Sequence, residues 1–213
     1  MKNINISLAE KADIHDLYER SVQNVEHEIE FIQNTYQSLK RKRAFLYRED
    51  FCGTANSSCA WVNQGNSYYA SGIDNDGTVL KWAKENRIPN LDTEAQKRIK
   101  VFESDVMTMR SIEVDVLSAF NFSYFCFQTR DLLLSYFIKS LNTLKSDGIF
   151  FLDLFGGPEA NQELSEKTEH DDFTYIWRPV SYTHLRAHET REDRGFRLGG
   201  GKKKGGGGGG GGG

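Results

Sequence analysis

The strongest constraint on the fold of this chain is an alternation of short apolar runs with helical patterns between residues 44 and 155. The apolar runs, which we predict to be strands, are 44–47, 67–73, 99–102, 114–120 and 148–155. Apolar residues with helical spacing occur between some of these runs, at 78–85 and 131–144. A chain that alternates strands with helices forms a parallel sheet with helices on both faces. We therefore predict an α/β fold with a mostly parallel sheet and right-handed crossovers.

The residues before this pattern are predicted to be helical. Apolar side chains recur there at spacings of three and four residues, which places them on one face of a helix. They are Val25, Ile29, Ile32, Tyr36 and Leu39. A shorter stripe precedes them and consists of Ile14, Leu17, Tyr18 and Val22. We predict an N-terminal helical cap over residues 1–43 and an α/β domain over residues 44–179.

Small and acidic residues follow the first predicted strand. In open parallel sheets, ligands bind beyond the carboxyl ends of the strands, where the strand order reverses. The segment after the first strand is Arg48-Glu49-Asp50-Phe51-Cys52-Gly53-Thr54-Ala55. Small residues in such a turn let a ligand approach the backbone, and a helix that follows presents free N–H groups. This turn is therefore a candidate ligand site, although an ordinary turn between a strand and a helix is the alternative.

Acids also follow the second and third predicted strands. Asp74 lies 21 residues after Gly53, and dinucleotide-binding folds use an acid about 20 residues on to accept hydrogen bonds from ribose hydroxyls. A carboxylate suits a diol because it accepts two hydrogen bonds. The alternative is that Asp74 is only a turn residue. Asp105 and Val106 follow the third strand, where the alternative is a helix cap or a loop acid.

Taken together, these motifs resemble the class I S-adenosylmethionine-dependent methyltransferases. The resemblance covers Leu17 to about Trp177, and is closest to a group with an REDFCGTA-like loop, an NFSY-like segment and an LDLFGG-like strand end. On the D-x-G-x-G-x-G loop of the family, Glu49 takes the acidic position and Gly53 the central glycine, while Phe51 replaces the first glycine. The resemblance implies a Rossmann-like sheet of seven strands ordered 3-2-1-4-5-7-6, of which about five are present.

The resemblance also implies a cofactor and the residues that contact it. The cofactor is S-adenosylmethionine, with Asp74 on its ribose, Asp105 receiving the adenine amino group and the Val106 N–H bonded to a ring nitrogen. The full set of predicted cofactor contacts is Glu49, Phe51, Cys52, Gly53, Thr54, Ala55, Asp74, Asp105, Val106 and Asn121.

The candidates for catalysis follow the fourth predicted strand and are Asn121, Phe122 and Tyr124. Asn121 is suited to orienting a substrate, and the two rings are suited to walling a sulfonium, whose charge is attracted by aromatic faces. The alternative is that both rings are core aromatics. The D/N-P-P-Y/F motif of adenine-specific methyltransferases is not matched, because its prolines are missing, so the methyl acceptor is unknown.

The composition limits the partners and the location. The first 179 residues carry 20 Lys and Arg against 27 Asp and Glu, and an acidic body does not indicate a nucleic-acid partner. Cys52, Cys59 and Cys126 lack the spacing of a disulfide framework or a zinc site, so we expect no metal and a reducing cytoplasm. No apolar stretch approaches ~20 residues and the start has no signal peptide, so we expect no membrane partner.

The last part of the chain has a different character. Residues 180–190 have the sequence VSYTHLRAHET, and one codon choice for this string resembles the transposon-end adapter used to prepare sequencing libraries. Of the 20 glycines, 13 lie after Asp193. We expect residues 180–213 to be a non-native, disordered tail and the genuine chain to break off near Pro179. A real flexible, basic, Gly-rich tail is the alternative.

The predicted function is therefore methyl transfer to an unknown acceptor, with the truncated chain itself inactive. One alternative is a non-catalytic domain that binds S-adenosylmethionine or a nucleotide. Another is a nicotinamide-dependent oxidoreductase, which would require a G-x-G-x-x-G/A fingerprint that this loop lacks.

Overall fold

The central element of the structure is a five-stranded parallel sheet. The structure is a computed structural model and describes residues 12–22, 24–110, 112–154, 165–177 and 196–198. The strands are β1 (Leu46–Asp50), β2 (Tyr69–Asp74), β3 (Ile99–Glu103), β4 (Val114–Ala119) and β5 (Leu144–Leu152). Their order is β3-β2-β1-β4-β5, with every pair parallel, which confirms the predicted sheet and its order. The order reverses between β1 and β4, so the switch point lies there.

Helices precede the sheet and connect its strands. They are α1 (Ile14–Val22), α2 (Val25–Lys40), α3 (Asn56–Val62), α4 (Gly77–Trp82), α5 (Thr93–Gln96) and α6 (Arg130–Thr143). A π-helical turn, Ala83–Arg87, continues α4. The predicted N-terminal helices, the helix expected after the first strand and the predicted helix at 131–144 are confirmed, whereas α5 was not predicted.

Two apolar clusters fix the helices to opposite faces of the sheet. On one face, α2 contributes Ile32 and Tyr36 to a core that includes Trp61 of α3 and Tyr47 of β1. The Trp61 and Tyr47 rings stack with centroids 4.7 Å apart. On the other face, Tyr136 of α6 packs with residues of β2 and β4. Both faces are therefore covered near β1, as a parallel sheet requires.

Three of the predicted boundaries or faces are wrong. The first strand does not end at Tyr47 but continues to Asp50, because its charged residues find partners inside the protein. The fifth strand begins at Leu144, which was predicted to end the preceding helix. Leu39 and Ile14, which belong to the predicted apolar stripes, are 66% and 60% exposed. The other apolar residues of the α2 stripe are buried.

A second, antiparallel sheet follows β5. It contains β6 (Glu166–Glu169), β7 (Phe173–Trp177) and β8 (Phe196–Leu198), in that order. None of these strands is among the five apolar runs predicted above, and β8 lies within residues 180–213, where a disordered tail was predicted. The rest of the predicted tail, 180–195 and 199–213, lies outside the described residues. Among the residues that are described, no helix has the length and apolar character needed to cross a membrane.

Candidate functional site

The turn after β1 has an unusual backbone. Phe51, Gly53 and Ala55 have φ values of 58°, 53° and 59°. These values lie in the left-handed region, which residues with a side chain seldom adopt. The ring of Phe51 packs at 5.9 Å from that of Tyr136 and at 6.1 Å from that of Phe127, and these contacts hold the turn in place.

The turn lies directly against β2. The Cys52 N–H donates to the Ile73 carbonyl at 3.0 Å. A Cβ placed on Gly72 would lie 2.8 Å from the Cys52 Sγ, closer than real atoms approach. Glycine at position 72 is therefore what allows the turn to pack on the end of β2.

Asp74 joins the ends of the two strands. Its Oδ2 accepts the Gly53 N–H at 2.8 Å, and its Oδ1 accepts the Asp76 N–H at 2.9 Å. The side chain is buried. Each carboxylate oxygen can accept a further hydrogen bond, so Asp74 holds the turn and keeps capacity for a ligand. The structure thus brings together Gly53 and Asp74, two predicted cofactor residues.

Thr54 contributes an unsatisfied hydroxyl to the same turn. Its Oγ1 is buried and has no hydrogen-bond partner in the part of the chain that the structure describes. A buried hydroxyl without a partner costs free energy. A polar ligand that binds against the turn would remove this cost.

Glu49 lies beneath the turn and its carboxylate contacts α3. Its Oε2 accepts the Ser58 N–H at 2.9 Å and the Ser58 hydroxyl at 2.6 Å. Burial raises the pKa of Glu49 to about 7, although the two bonds from Ser58 lower it. The nearby Glu28 of α2 raises this pKa further. In the structure, Glu49 braces the first turn of α3.

Asp105 and Val106 follow β3 next to the end of β2. The Ser104 N–H donates to the Asp74 carbonyl at 2.9 Å, which places the loop beside Asp74. The Asp105 side chain is exposed and accepts the Met107 N–H at 2.7 Å. Val106 is buried in the same cluster as Ile73. Asp105 therefore shapes its own loop, as the alternative proposed, and its carboxylate is open to solvent.

The segment after β4 is held by Asp153, an acid within the fifth predicted strand. Asn121 and Phe122 both have left-handed φ values, 57° and 56°. The Phe122 N–H donates to Asp153 Oδ1 at 2.9 Å, and the Tyr124 hydroxyl donates to the Asp153 carbonyl at 2.8 Å. The buried Tyr124 ring packs at 4.9 Å from Phe125, which matches the alternative of a core aromatic. An acid within an apolar strand was the only sequence signal for Asp153.

Helix α1 connects the crossover after β2 with the second sheet. On one side, the Trp82 Nε1 donates to Asp13, just before α1, at 2.5 Å. On the other side, Arg20 of α1 forms an ion pair with Asp172 and lies 4.8 Å from the centre of the Phe173 ring. Tyr18, from the shorter predicted stripe, also lies on α1 and is partly buried. The helix thus joins segments that follow β2 and β5 in the chain.

A cavity of about 170 Å³ lies beside α6. Its lining residues are Arg48, Asp50, Val106, Met109, Lys139, Ser140, Asn142 and Thr143. Val106 is the one predicted cofactor residue among them, so the cavity is separate from the turn after β1. Within the described ranges, no three His, Cys, Asp or Glu side chains are grouped closely enough to hold a metal ion.

Comparison with solved structures identifies the fold. The chain is similar to an S-adenosylmethionine-dependent methyltransferase from Clostridium acetobutylicum, with a TM-score of 0.59, 18% identity and coverage of 76% of this chain and 66% of that one. It is also similar to DesVI from Streptomyces venezuelae, with a TM-score of 0.61, 16% identity and coverage of 78% and 67%. A third similar structure is an amino pentose methyltransferase from Micromonospora echinaspora, with S-adenosylmethionine bound. Its TM-score is 0.60 and its identity 13%, with coverage of 83% of this chain and 69% of that one.

The chain has the Rossmann-like fold of class I S-adenosylmethionine-dependent methyltransferases, as the resemblance of its motifs implied. It spans about two thirds of the length of these neighbours. No protein-family model matches the sequence, and no curated protein matches it either. At these identities the comparison identifies the fold, and the function has to be argued from the site.

Proposed function

We propose that this chain binds S-adenosylmethionine at the carboxyl ends of β1, β2, β3 and β4 and is the cofactor-binding part of a methyltransferase. The observation that carries the proposal is the bond from the Gly53 N–H to Asp74, which joins a left-handed turn to an acid at the end of the neighbouring strand. This pair lies at the edge of the sheet where ligands of such folds bind.

The residues that are present fit the cofactor. Asp74 has acceptor capacity left for the ribose hydroxyls, and Asp105 has an exposed carboxylate for the adenine amino group. Among the described residues, the buried Thr54 hydroxyl has no partner, and the methionine part of the cofactor would supply one. The cofactor contributes a methyl group that its sulfonium already activates. The protein is then left to position the acceptor, which by itself accounts for large rate enhancements.

The acceptor site is proposed to lie between the segment after β4 and helix α1. Asn121 would orient the acceptor and the half-buried Phe122 would face the sulfonium, whose charge favours an aromatic surface. The names of the structural neighbours include a sugar N-methyltransferase and a plantazolicin methyltransferase. These acceptors differ in chemical class, so the acceptor of this chain stays open. The free cysteines are consistent with the cytoplasmic location that we also propose.

Isothermal titration calorimetry with S-adenosylhomocysteine and with NAD tests the proposal. We expect the wild-type chain to bind S-adenosylhomocysteine and not NAD. Asp74→Ala should weaken this binding about tenfold or more, because the ribose hydroxyls would lose two hydrogen bonds to a charged carboxylate. Asp171→Ala removes an exposed acid in the turn between β6 and β7 and is the matched control, with unchanged affinity. Binding of NAD alone would show that the site belongs to a nicotinamide-dependent enzyme.

A further inference from the structure

Asp153 contacts the segment after β4 through two different groups. Ala119 and Leu152 are partners at the ends of β4 and β5, so the two chains leave the sheet side by side. The Asp153 carboxylate accepts the Phe122 N–H at 2.9 Å, and its backbone carbonyl accepts the Tyr124 hydroxyl at 2.8 Å. Asp153, which follows β5, therefore holds two residues of the segment after β4.

The segment that Asp153 fixes would not adopt its conformation unaided. Asn121 and Phe122 are consecutive residues with side chains, and both have left-handed φ values, 57° and 56°. Such a conformation persists only where the surrounding structure holds it. A charged carboxylate is a stronger acceptor for an N–H group than a neutral oxygen. The bond from Phe122 to Asp153 is thus the contact best suited to hold the turn.

The surroundings of Asp153 agree with this role. Burial raises its pKa, while the N–H groups of Phe122 and Asn121 lower it, so both amides lie close to the carboxylate. Glu28 of α2 is near enough to be affected by its charge. The Asp153 carboxylate therefore lies against backbone amides of the segment after β4.

We propose that Asp153 is a positioning residue, which holds residues 121–124 in the conformation that places Asn121 against the cofactor. This inference rests on the proposed function, because it requires a cofactor at this edge of the sheet. Asp153 acts through the backbone of the turn and does not itself touch the reacting atoms.

The test compares Asp153→Ala with Asp153→Asn in the full chain. Asparagine keeps a side-chain oxygen that accepts the Phe122 N–H, whereas alanine removes it. We expect Asp153→Ala to weaken S-adenosylhomocysteine binding about tenfold and Asp153→Asn to stay within about threefold of the wild type. Asp147→Ala changes an acid within β5, six residues before Asp153, and should leave the affinity unchanged.

Amide hydrogen exchange, measured without ligand, tests whether Asp153 holds the turn independently of whether the chain binds S-adenosylhomocysteine. Exchange of the Phe122 amide should rise in Asp153→Ala and return to the wild-type rate in Asp153→Asn. If the wild type does not bind S-adenosylhomocysteine, the proposed function fails, and the exchange data still show whether Asp153 holds the turn.

Two results overturn the role of Asp153 in cofactor binding. One is equal affinity of Asp153→Ala and the wild type, and the other is equal loss in both Asp153 variants. If Asp153→Ala does not fold, as judged by circular dichroism, Tyr124→Phe replaces it. That variant removes only the second bond and should weaken binding in the same direction, and unchanged affinity would then overturn the role.

Discussion

Replacing Glu49 with glutamine should remove a pH dependence of stability that the wild-type chain shows between about pH 5 and about pH 8. Burial raises the pKa of this carboxyl from 4.5 to about 7 in the folded state. Over that interval the folded chain binds a proton that the unfolded chain has lost. Protonation of Glu49 therefore stabilises the folded state at low pH, and this stabilisation disappears as the pH rises through about 7.

The size of the effect follows from the two pKa values. A shift from 4.5 to about 7 makes the wild type lose about 2.5 kcal/mol of unfolding free energy between about pH 5 and about pH 8. Glutamine resembles the protonated acid, and its amide oxygen can still accept the bonds that Ser58 donates. The difference in stability in favour of the variant should therefore grow by about 2.5 kcal/mol between about pH 5 and about pH 8.

Urea denaturation of both proteins at several pH values measures this difference. Other carboxyls titrate in the same interval, but their contributions cancel when the two proteins are compared at each pH. Glu113→Gln, which removes an exposed carboxylate, controls for the change in net charge and should follow the wild-type profile. A constant difference between Glu49→Gln and the wild type at every pH would refute the assignment of a buried, proton-binding Glu49.

Two further predictions concern packing around the turn after β1. Gly72→Ala should destabilise the chain by about 1–3 kcal/mol in urea denaturation, because its Cβ would lie 2.8 Å from the Cys52 Sγ. Adding Cys52→Ala should recover part of that loss, and no recovery would argue against this contact as the cause. Tyr136→Phe should cost about 1–3 kcal/mol, because its buried hydroxyl donates to Asp50 Oδ2 at 3.0 Å. Tyr69→Phe, at an exposed tyrosine, is the matched control, and equal midpoints for the two variants would contradict the reasoning.

The sheet could be predicted from the sequence because its strands are local apolar runs. The runs around Ile73, Val101 and Val116 lie between turn residues, and the spacing of Ile29 and Ile32 identified the helix. The strand order was implied by the resemblance of the motifs to a family. The signals for strands and helices depend on residues that are close in the chain, so a single sequence is enough to show them.

The end of β1 could not be predicted, because its stability depends on distant partners. Asp50 accepts a hydrogen bond from Tyr136, which lies 86 residues further along the chain. In the local sequence pattern, Asp50 is only a charged residue, and such a residue is expected to be exposed. For the same reason, the contact between Asp153 and Phe122, which lies 31 residues away, could not be predicted. Asp74 could be named as a candidate because its spacing from Gly53 is itself typical of a fold class, whereas its bond to the Gly53 N–H is visible only in the structure.

The contacts of α1 set an order of events during synthesis. Arg20 leaves the ribosome early, but its partner Asp172 lies 152 residues later in the chain. At ~5–20 residues per second, that separation corresponds to about 10–30 seconds of translation. All five strands of the parallel sheet emerge within this interval. The residues of β1 and β2 are therefore synthesised while Arg20 still lacks Asp172, so α1 can be held from both of its sides only after the whole parallel sheet has emerged.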